Sequence, residues 1–491
     1  MFSTSPLRLA VIGAGPAGIY AAETLTKTDA VKSGELPVAI DLFDQLPTPF
    51  GLIRYGVAPD HPRIKGIITA LHRILGRGDI RFFGNVAFGT DLTLAELREH
   101  YDAIIFATGA LKDAALDIPG IDLDGSYGGA DFVAWYDGNP DYPRTWPLTA
   151  EQVAVIGNGN VALDIARVLA KSADELLTTE IPANVYEGLA ASPVTDVHVF
   201  GRRGPCQVKF TPLETRELAH PRGVQMVLDP RDFDQVSDEE WEIVSRDNRQ
   251  KQVVDTFTRW LEEQKEREAS GAEPVDAHGN PVQRRLHLHF WHRPVEVLGT
   301  DGKVTGMRFE RTRLDESGAI VGTGEMVDYE LGAVYRAVGY FGTELPEIPF
   351  NTQRGVIRNA AGRVLDENDS PIPGLYTNGW IKRGPVGLIG ATKSDALETI
   401  TCLLEDLPNL VPAPDRDPES TFRLLDSKGV DYTTWEGWLR LEEHEKALGA
   451  ETLDADGNPR ARVKVVERDE MVAIAGHRAE LDEDNAPSAS A

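Results

Sequence analysis

Two glycine-rich turns of the dinucleotide-binding type lie on this chain, Gly13-Ala14-Gly15-Pro16-Ala17-Gly18 and Gly157-Asn158-Gly159-Asn160-Val161-Ala162, and the residues to which they lead are opposite in charge. The first leads to an acid, Asp44; the second leads to a basic pair, Arg202-Arg203. A ribose with free hydroxyls is held by a carboxylate acceptor, whereas a ribose with a 2′-phosphate is held by guanidinium donors. Two different nucleotides bound side by side are implied, FAD on the first turn and NADP on the second.

The context of each turn agrees. Leu9–Ile12 is a continuous apolar run of buried-strand type, and Ile19, Ala22 and Leu25 recur after the turn at helical spacing. Gly13 permits the tight turn, Gly15 lets the backbone approach a pyrophosphate, and Gly18 lets helix and strand pack closely. Pro16 suits the first helical position. A second strand, Val38–Phe43, ends at Asp44, placed to accept from the adenosine ribose. The second turn repeats the pattern: Val153–Ile156 is the strand, and Val161, Ile165, Val168 and Leu169 supply the helix face. Ala162 replaces the third glycine, an accepted variant. The next strand, Asp196–Phe200, ends in Gly201-Arg202-Arg203-Gly204, where a 2′-phosphate would lie.

At 491 residues the chain exceeds one core and fits two domains. Tyr101–Gly109 reads as the strand that closes the first half, and Ala333–Gly339 as its partner on the return. The expected fold is α/β, two Rossmann-like dinucleotide-binding domains with the NADP domain inserted into a discontinuous FAD domain. The boundaries expected are 1–109 and 338–491 for the FAD domain and 110–337 for the NADP domain. Ser237–Asp276 reads as a charged helical excursion with Trp241, Val244, Phe257 and Leu261 facing inward. Residues 480–491 lack apolar content and are expected to be a disordered tail.

A formal charge of −28 argues against nucleic acid or an anionic membrane as partner. Nothing reaches the ~18 apolar residues of a membrane span, and Leu9–Ile12 lacks the basic flank of a signal peptide. Two cysteines, Cys206 and Cys402, form no C-x-x-C pair, which removes a disulfide framework, an iron–sulfur site and a redox dithiol. A reducing, cytoplasmic location is expected. His287, His289 and His292 alternate with apolar residues as one face of a strand, and without a Cys or a nearby carboxylate no metal site is expected. His61 lies in a proline turn. Gly374–Trp380 reads as a strand entering the Lys382–Gly390 loop and a helix from about Ala391 to Leu404. Its N-terminus is suited to a reduced flavin's negative charge.

Pro49 to Pro62, Gly157 to Asp164, Gly201-Arg202-Arg203-Gly204-Pro205 and Gly379 to Pro385 occur together in this order. With them the chain resembles the adrenodoxin reductase family of ferredoxin–NADP reductases over nearly its whole length, including Trp435 and Arg460 to Lys464. The resemblance implies an FAD enzyme that takes a hydride from NADPH and passes single electrons to a ferredoxin-type iron–sulfur protein. It implies that Gly13, Ala14, Gly15, Pro16, Ala17, Gly18, Asp44, Leu52, Val86, Trp380, Gly387, Leu388 and Ile389 hold FAD. Asn158, Gly159, Asn160, Val161, Arg202, Arg203, Glu214 and Gly387 would hold NADP, and His61, Asp164 and Glu217 match positions considered for proton handling. The family usually has Glu where Asp44 stands. For the acidic partner, Lys209, Arg216, Arg222 and Lys382-Arg383 are the candidate docking cations. A flavin monooxygenase, a disulfide reductase and a nucleotide-sensing binding protein are the rival readings.

Overall fold

The computed structural model describes residues 6–271, 273–387 and 390–478. Leu388, Ile389 and the 480–491 tail lie outside the described residues. The apolar runs become the centres of two separate sheets. In the first, Leu7–Ile12 lies between Val38–Phe43 and Ala103–Phe106, with Ile80–Phe83 beyond one neighbour and Pro371–Thr377 beyond the other, all parallel. The short antiparallel strands Arg363–Leu365 and Asn359–Ala360 complete the edge. In the second sheet the parallel order is Ser126–Gly128, Ala333–Arg336, Gln152–Ile156, Asp196–Phe200, Arg284–His289, Val224–Leu228. Each glycine turn thus succeeds a strand with neighbours on both sides, at the carboxyl end where such sheets bind ligands.

Two expectations change. Ala333–Arg336 belongs to the second sheet, hydrogen-bonded along Gln152–Ile156; the chain re-enters the first sheet at Asn359–Ala360 and Arg363–Leu365, and Pro371–Thr377 is the parallel partner of Ala103–Phe106. The crossings between the halves are Lys112–Asp113 and Tyr340–Phe341, which pair antiparallel with each other. Within the charged excursion, Asp238–Arg246 and Asn248–Ser270 are helices, and Val244, Phe257 and Leu261 are buried. Trp241 is 37% exposed, on a helix that buries only Val244 of its own residues.

The helix Asn160–Ala170 buries Leu163, Ile165, Val168 and Leu169 against the second sheet. At roughly 1.5–3 kcal/mol per buried aliphatic side chain, that face fixes the helix and therefore the glycine turn at its start. The helix Pro16–Thr26 does the same in the first half through Ile19, Ala22 and Leu25. A three-stranded antiparallel sheet, His292–Thr300, Lys303–Leu314 and Ile320–Glu330, covers one face of the second sheet, sharing a buried cluster with it through Met307 and through Phe309, which stacks on Phe200.

Candidate nucleotide sites and their junction

Gly13 adopts φ +110, and a Cβ there would sit 2.5 Å from the Ala107 carbonyl oxygen. At Gly18 a Cβ would fall 1.9 Å from the Gly13 oxygen, so only glycine brings the helix this close to the strand. Gly15 is different: a Cβ would find nothing nearer than 3.9 Å, so the protein's own packing does not require glycine there. Around this turn the Phe50 amide donates to the Ala14 carbonyl (2.8 Å), and the Asn378 side-chain amide donates to the Ala17 carbonyl (2.8 Å). Gly379 packs against Ala17 and leads into half-buried Trp380, which stacks on Tyr340.

Asp44 spends both carboxylate oxygens on the backbone, accepting from Ala14 N at 2.7 Å and Leu46 N at 2.9 Å. Burial pushes its pKa up to about 6, against the lowering effect of those two donors. Its short side chain therefore braces the glycine turn directly, and its carbonyl accepts from Val86 N at 2.8 Å. Leu52 begins the short helix Leu52–Tyr55 beside this loop.

The second turn is built on the same plan. A Cβ at Gly157 would lie 2.1 Å from the Ala337 oxygen, whereas one at Gly159 would meet nothing within 4 Å. Gly201 packs on the Asn158 amide, which puts the arginine turn beside the glycine turn. That arginine turn is held from the strand Arg284–His289 and the two residues after it: Gly201 N donates to His289 O at 2.8 Å and Trp291 N to Arg203 O at 3.1 Å. Arg202 and Arg203 are exposed, and among the described residues neither forms an ion pair. Asn160 Oδ1 and Asn378 Oδ1 are buried acceptors without a partner, one near each turn. Glu214 is buried and uses one carboxylate oxygen in the capping box of Pro212–Glu217 with Thr211. Gly387 is exposed at φ +87, next to the Arg383 guanidinium.

The halves meet at His61. Its Nε2 lies 2.7 Å from Asp164 Oδ1, and its Nδ1 lies 3.2 Å from Glu217 Oε2. His61 comes after the loop that packs on the first turn, and Asp164 is one helical turn into the helix after the second. Burial would lower the His61 pKa, but the hydrogen bond and charge of Asp164 outweigh it and hold it above the ordinary value. Arg167, on the same helix face as Asp164, grips Asp60 with two bonds of 2.7 Å and reaches Asp164 at 3.0 Å. Lys171 adds a third bond to Asp60 at 2.8 Å. Burial would raise the Asp60 pKa, yet these cations hold it well below the carboxylate range.

The sequence reading missed Asp60, Arg167 and Lys171. Its one available signal was an arginine set among the apolar positions of a buried helix, where a charge needs a partner. Two other expectations are corrected. Lys382 is buried between Asp395 (2.8 Å) and Glu398 (2.6 Å), so it offers no docking charge, and Arg383 is turned to Asp395. Lys209, Arg216 and Arg222 are exposed. The carboxylate judged absent from the histidine cluster is present, since Asp196 Oδ1 lies 2.8 Å from His287 Nε2.

Two parallel dinucleotide folds, touching through residues adjacent to both glycine turns, define a two-nucleotide oxidoreductase architecture. Residues 7–192 match the pyridine nucleotide-disulphide oxidoreductase family. NADPH-ferredoxin reductase FprA of Mycobacterium tuberculosis is 37% identical over 480 residues, covering 96% of this chain and 99% of the relative. The mitochondrial NADPH:adrenodoxin oxidoreductase of Homo sapiens is 37% identical over 479 residues, covering 96% and 92%. The structure of M. tuberculosis FprA in complex with NADPH aligns with a TM-score of 0.84 at 36% identity, covering 96% of this chain and 99% of that one. The chain belongs to the NADPH-ferredoxin and NADPH:adrenodoxin reductase family. Among the described residues no helix is long and apolar enough to cross a membrane.

Proposed function

We propose that the protein is an FAD-dependent ferredoxin–NADP(+) reductase, moving a hydride from NADPH to FAD and then single electrons to a small iron–sulfur protein. The observation that carries this reading is the 2.7 Å contact of His61 with Asp164, which joins the surroundings of one glycine turn to the helix of the other. A bound flavin supplies the chemistry that links the two carriers, accepting two electrons at once and releasing them singly.

The residues fit both nucleotides. Gly15 and Gly159 stand where the fold itself has no need of glycine, so what requires them approaches from outside the protein. Gly13 to Gly18, Asp44, Leu52, Val86, Trp380 and Gly387 would hold FAD, and Leu388 and Ile389 are assigned with them from the resemblance alone. Asp44 keeps a second lone pair on each oxygen for the ribose while bracing the turn. Asn158, Gly159, Asn160, Val161, Arg202, Arg203, Glu214 and Gly387 would hold NADP. The unpaired arginines supply the forks that a phosphate monoester takes. His61, between the carboxylates of Asp164 and Glu217, is assigned the handling of protons near the flavin. The FAD domain would comprise 1–109 and 338–491 and the NADP domain 110–337, and the paired crossings Lys112–Asp113 and Tyr340–Phe341 a few residues from those bounds support this division. The two cysteines are free and buried, which suits a cytoplasmic protein, and burial pushes the Cys206 thiol up to about 12. No dithiol serves a disulfide reductase.

Anaerobic mixing with NADPH tests the assignment. Bleaching of a bound flavin's visible band, followed by reduction of an added ferredoxin, is the expected result. Protein purified without flavin, or a spectrum unchanged by NADPH, would overturn it.

A further inference from the structure

Four histidines gather on the face of the second sheet, and the redox reading uses none of them. His198 comes from Asp196–Phe200, His287 and His289 from its parallel neighbour Arg284–His289, and His292 from the next strand. His198 and His289 meet edge to edge, with Nδ1 and Nε2 3.0 Å apart and ring planes within 17°. His287 stacks on His198 at a centroid distance of 4.2 Å. One ring nitrogen from each of His198, His287 and His289 lies within 4.8 Å of the other two. His292 is engaged elsewhere, by the Tyr329 hydroxyl at 2.9 Å and by Arg311 at 3.1 Å.

We propose that His198, His287 and His289 bind one borderline transition-metal dication of the Zn²⁺ class, which staples together the two strands that carry the arginine turn. Neutral imidazole is the ligand form. Burial keeps these rings neutral: it lowers His287 and His289 and takes His198 down to about 3. Two neutral imidazoles facing nitrogen to nitrogen share one proton. An ion in its place, bonded tetrahedrally at ~2.05 Å, sets the nitrogens ~3.3 Å apart, a few tenths of an ångström beyond their present separation. His198 Nε2 is buried without a partner, so no other bond resists a turn of that ring. Asp196 engages His287 Nε2, the carboxylate–histidine arrangement that orients a ligand and leaves the lone pair on Nδ1. His287 must swing about its Cβ–Cγ bond to leave the stack, and its 16% exposure gives it room. The fourth position falls to water.

The effect reaches the nucleotide site through the backbone. Gly201 N donates to His289 O and His292 N donates to Gly201 O, so the residue before Arg202 hangs on the histidine strand. The test uses flavin-loaded protein without a polyhistidine tag, stripped with EDTA and dialysed against ZnCl₂. Expected are one Zn²⁺ retained per chain and a melting temperature raised by roughly 2 °C or more, with no rise from MgCl₂, whose ion prefers oxygen ligands. His287→Asn and His289→Gln should each weaken zinc affinity by at least roughly tenfold. The wild-type arm stands even if a variant fails to fold. No stoichiometric retention, an equal rise with Mg²⁺, or undiminished affinity in both variants would overturn the site.

Discussion

Arg202 and Arg203 stand exposed and, among the described residues, unpaired on a chain with 78 acidic and 50 basic residues, where Arg231, Arg285 and Arg311 of the same half each meet an aspartate. Charge-assisted hydrogen bonds to a phosphate are worth about 1.5–3 kcal/mol. Replacing both arginines by alanine should therefore raise the KM for NADPH roughly 10–100-fold and leave that for NADH within about twofold. Steady-state kinetics with both nucleotides decides it, and an equal loss with NADH removes the 2′-phosphate assignment. His61 gives a second residue-scale prediction. Its folded pKa lies above the ordinary 6.5, so its stabilising contribution is full below that value and fades as pH rises through the folded pKa. The stability gap between wild type and His61→Gln, from urea unfolding, should narrow from pH 6 to pH 9; a gap that widens sinks the ion pair. The arginine turn could be placed from sequence because it ends the strand that follows a glycine turn, whereas His61 showed there only as a residue of a proline turn and owes its assignment to the resemblance. Lys382 was misread because Asp395 and Glu398 meet it only through the return of the following helix.

At the scale of elements, the two glycine turns divide their glycines by purpose. Gly18 is demanded by the protein, since a methyl group there strikes the Gly13 carbonyl; Gly159 is not, since it faces open space at φ −126. Gly18→Ala should push helix and strand apart and yield protein that loses flavin and melts at lower temperature. Gly159→Ala should melt within about 1 °C of wild type yet show a raised KM for NADPH, because only the ligand is displaced. If Gly159→Ala is kinetically silent, nothing approaches that turn. Strands such as Val38–Phe43 and Asp196–Phe200 were read to the residue, because a short run rich in β-branched and aromatic residues, followed by Asp44 in one case and Gly201 in the other, marks its own end. Trp241 went wrong because a moment across one short helix does not say how wide a partner it will meet.

Buried ion pairs and side-chain-to-backbone bonds cross the junction of the whole molecule. Arg167 is 2% exposed and ties Asp60 of the first half to the helix of the second. The C-terminal segment adds a strap: Arg460 donates to Ile181 O at 2.6 Å, and Lys464 donates to Arg54 O at 2.6 Å and Asp137 O at 3.0 Å. Little of this was legible in the sequence: an arginine on an apolar helix face asks for a partner without naming it, and Lys464 meets Arg54 and Asp137 from far along the chain, where no local pattern encodes the pairing. Removing one partner of a buried pair strands the other's charge, at a cost of about 3–5 kcal/mol. Arg167→Ala should therefore destabilise the protein by about that amount, reduced by whatever Lys171 still supplies to Asp60. Because the same guanidinium sets the loop carrying His61 against Asp164, hydride transfer from NADPH should slow even where the folded protein keeps its flavin. Stopped-flow reduction at a temperature where the variant is fully folded separates the two effects. Arg167→Lys, which keeps the charge but loses the fork, should recover stability more than rate. Were Arg167→Ala to reduce its flavin as fast as wild type, the clasp would be a support for the fold alone, and the alignment of the two nucleotides would have to come from the C-terminal strap.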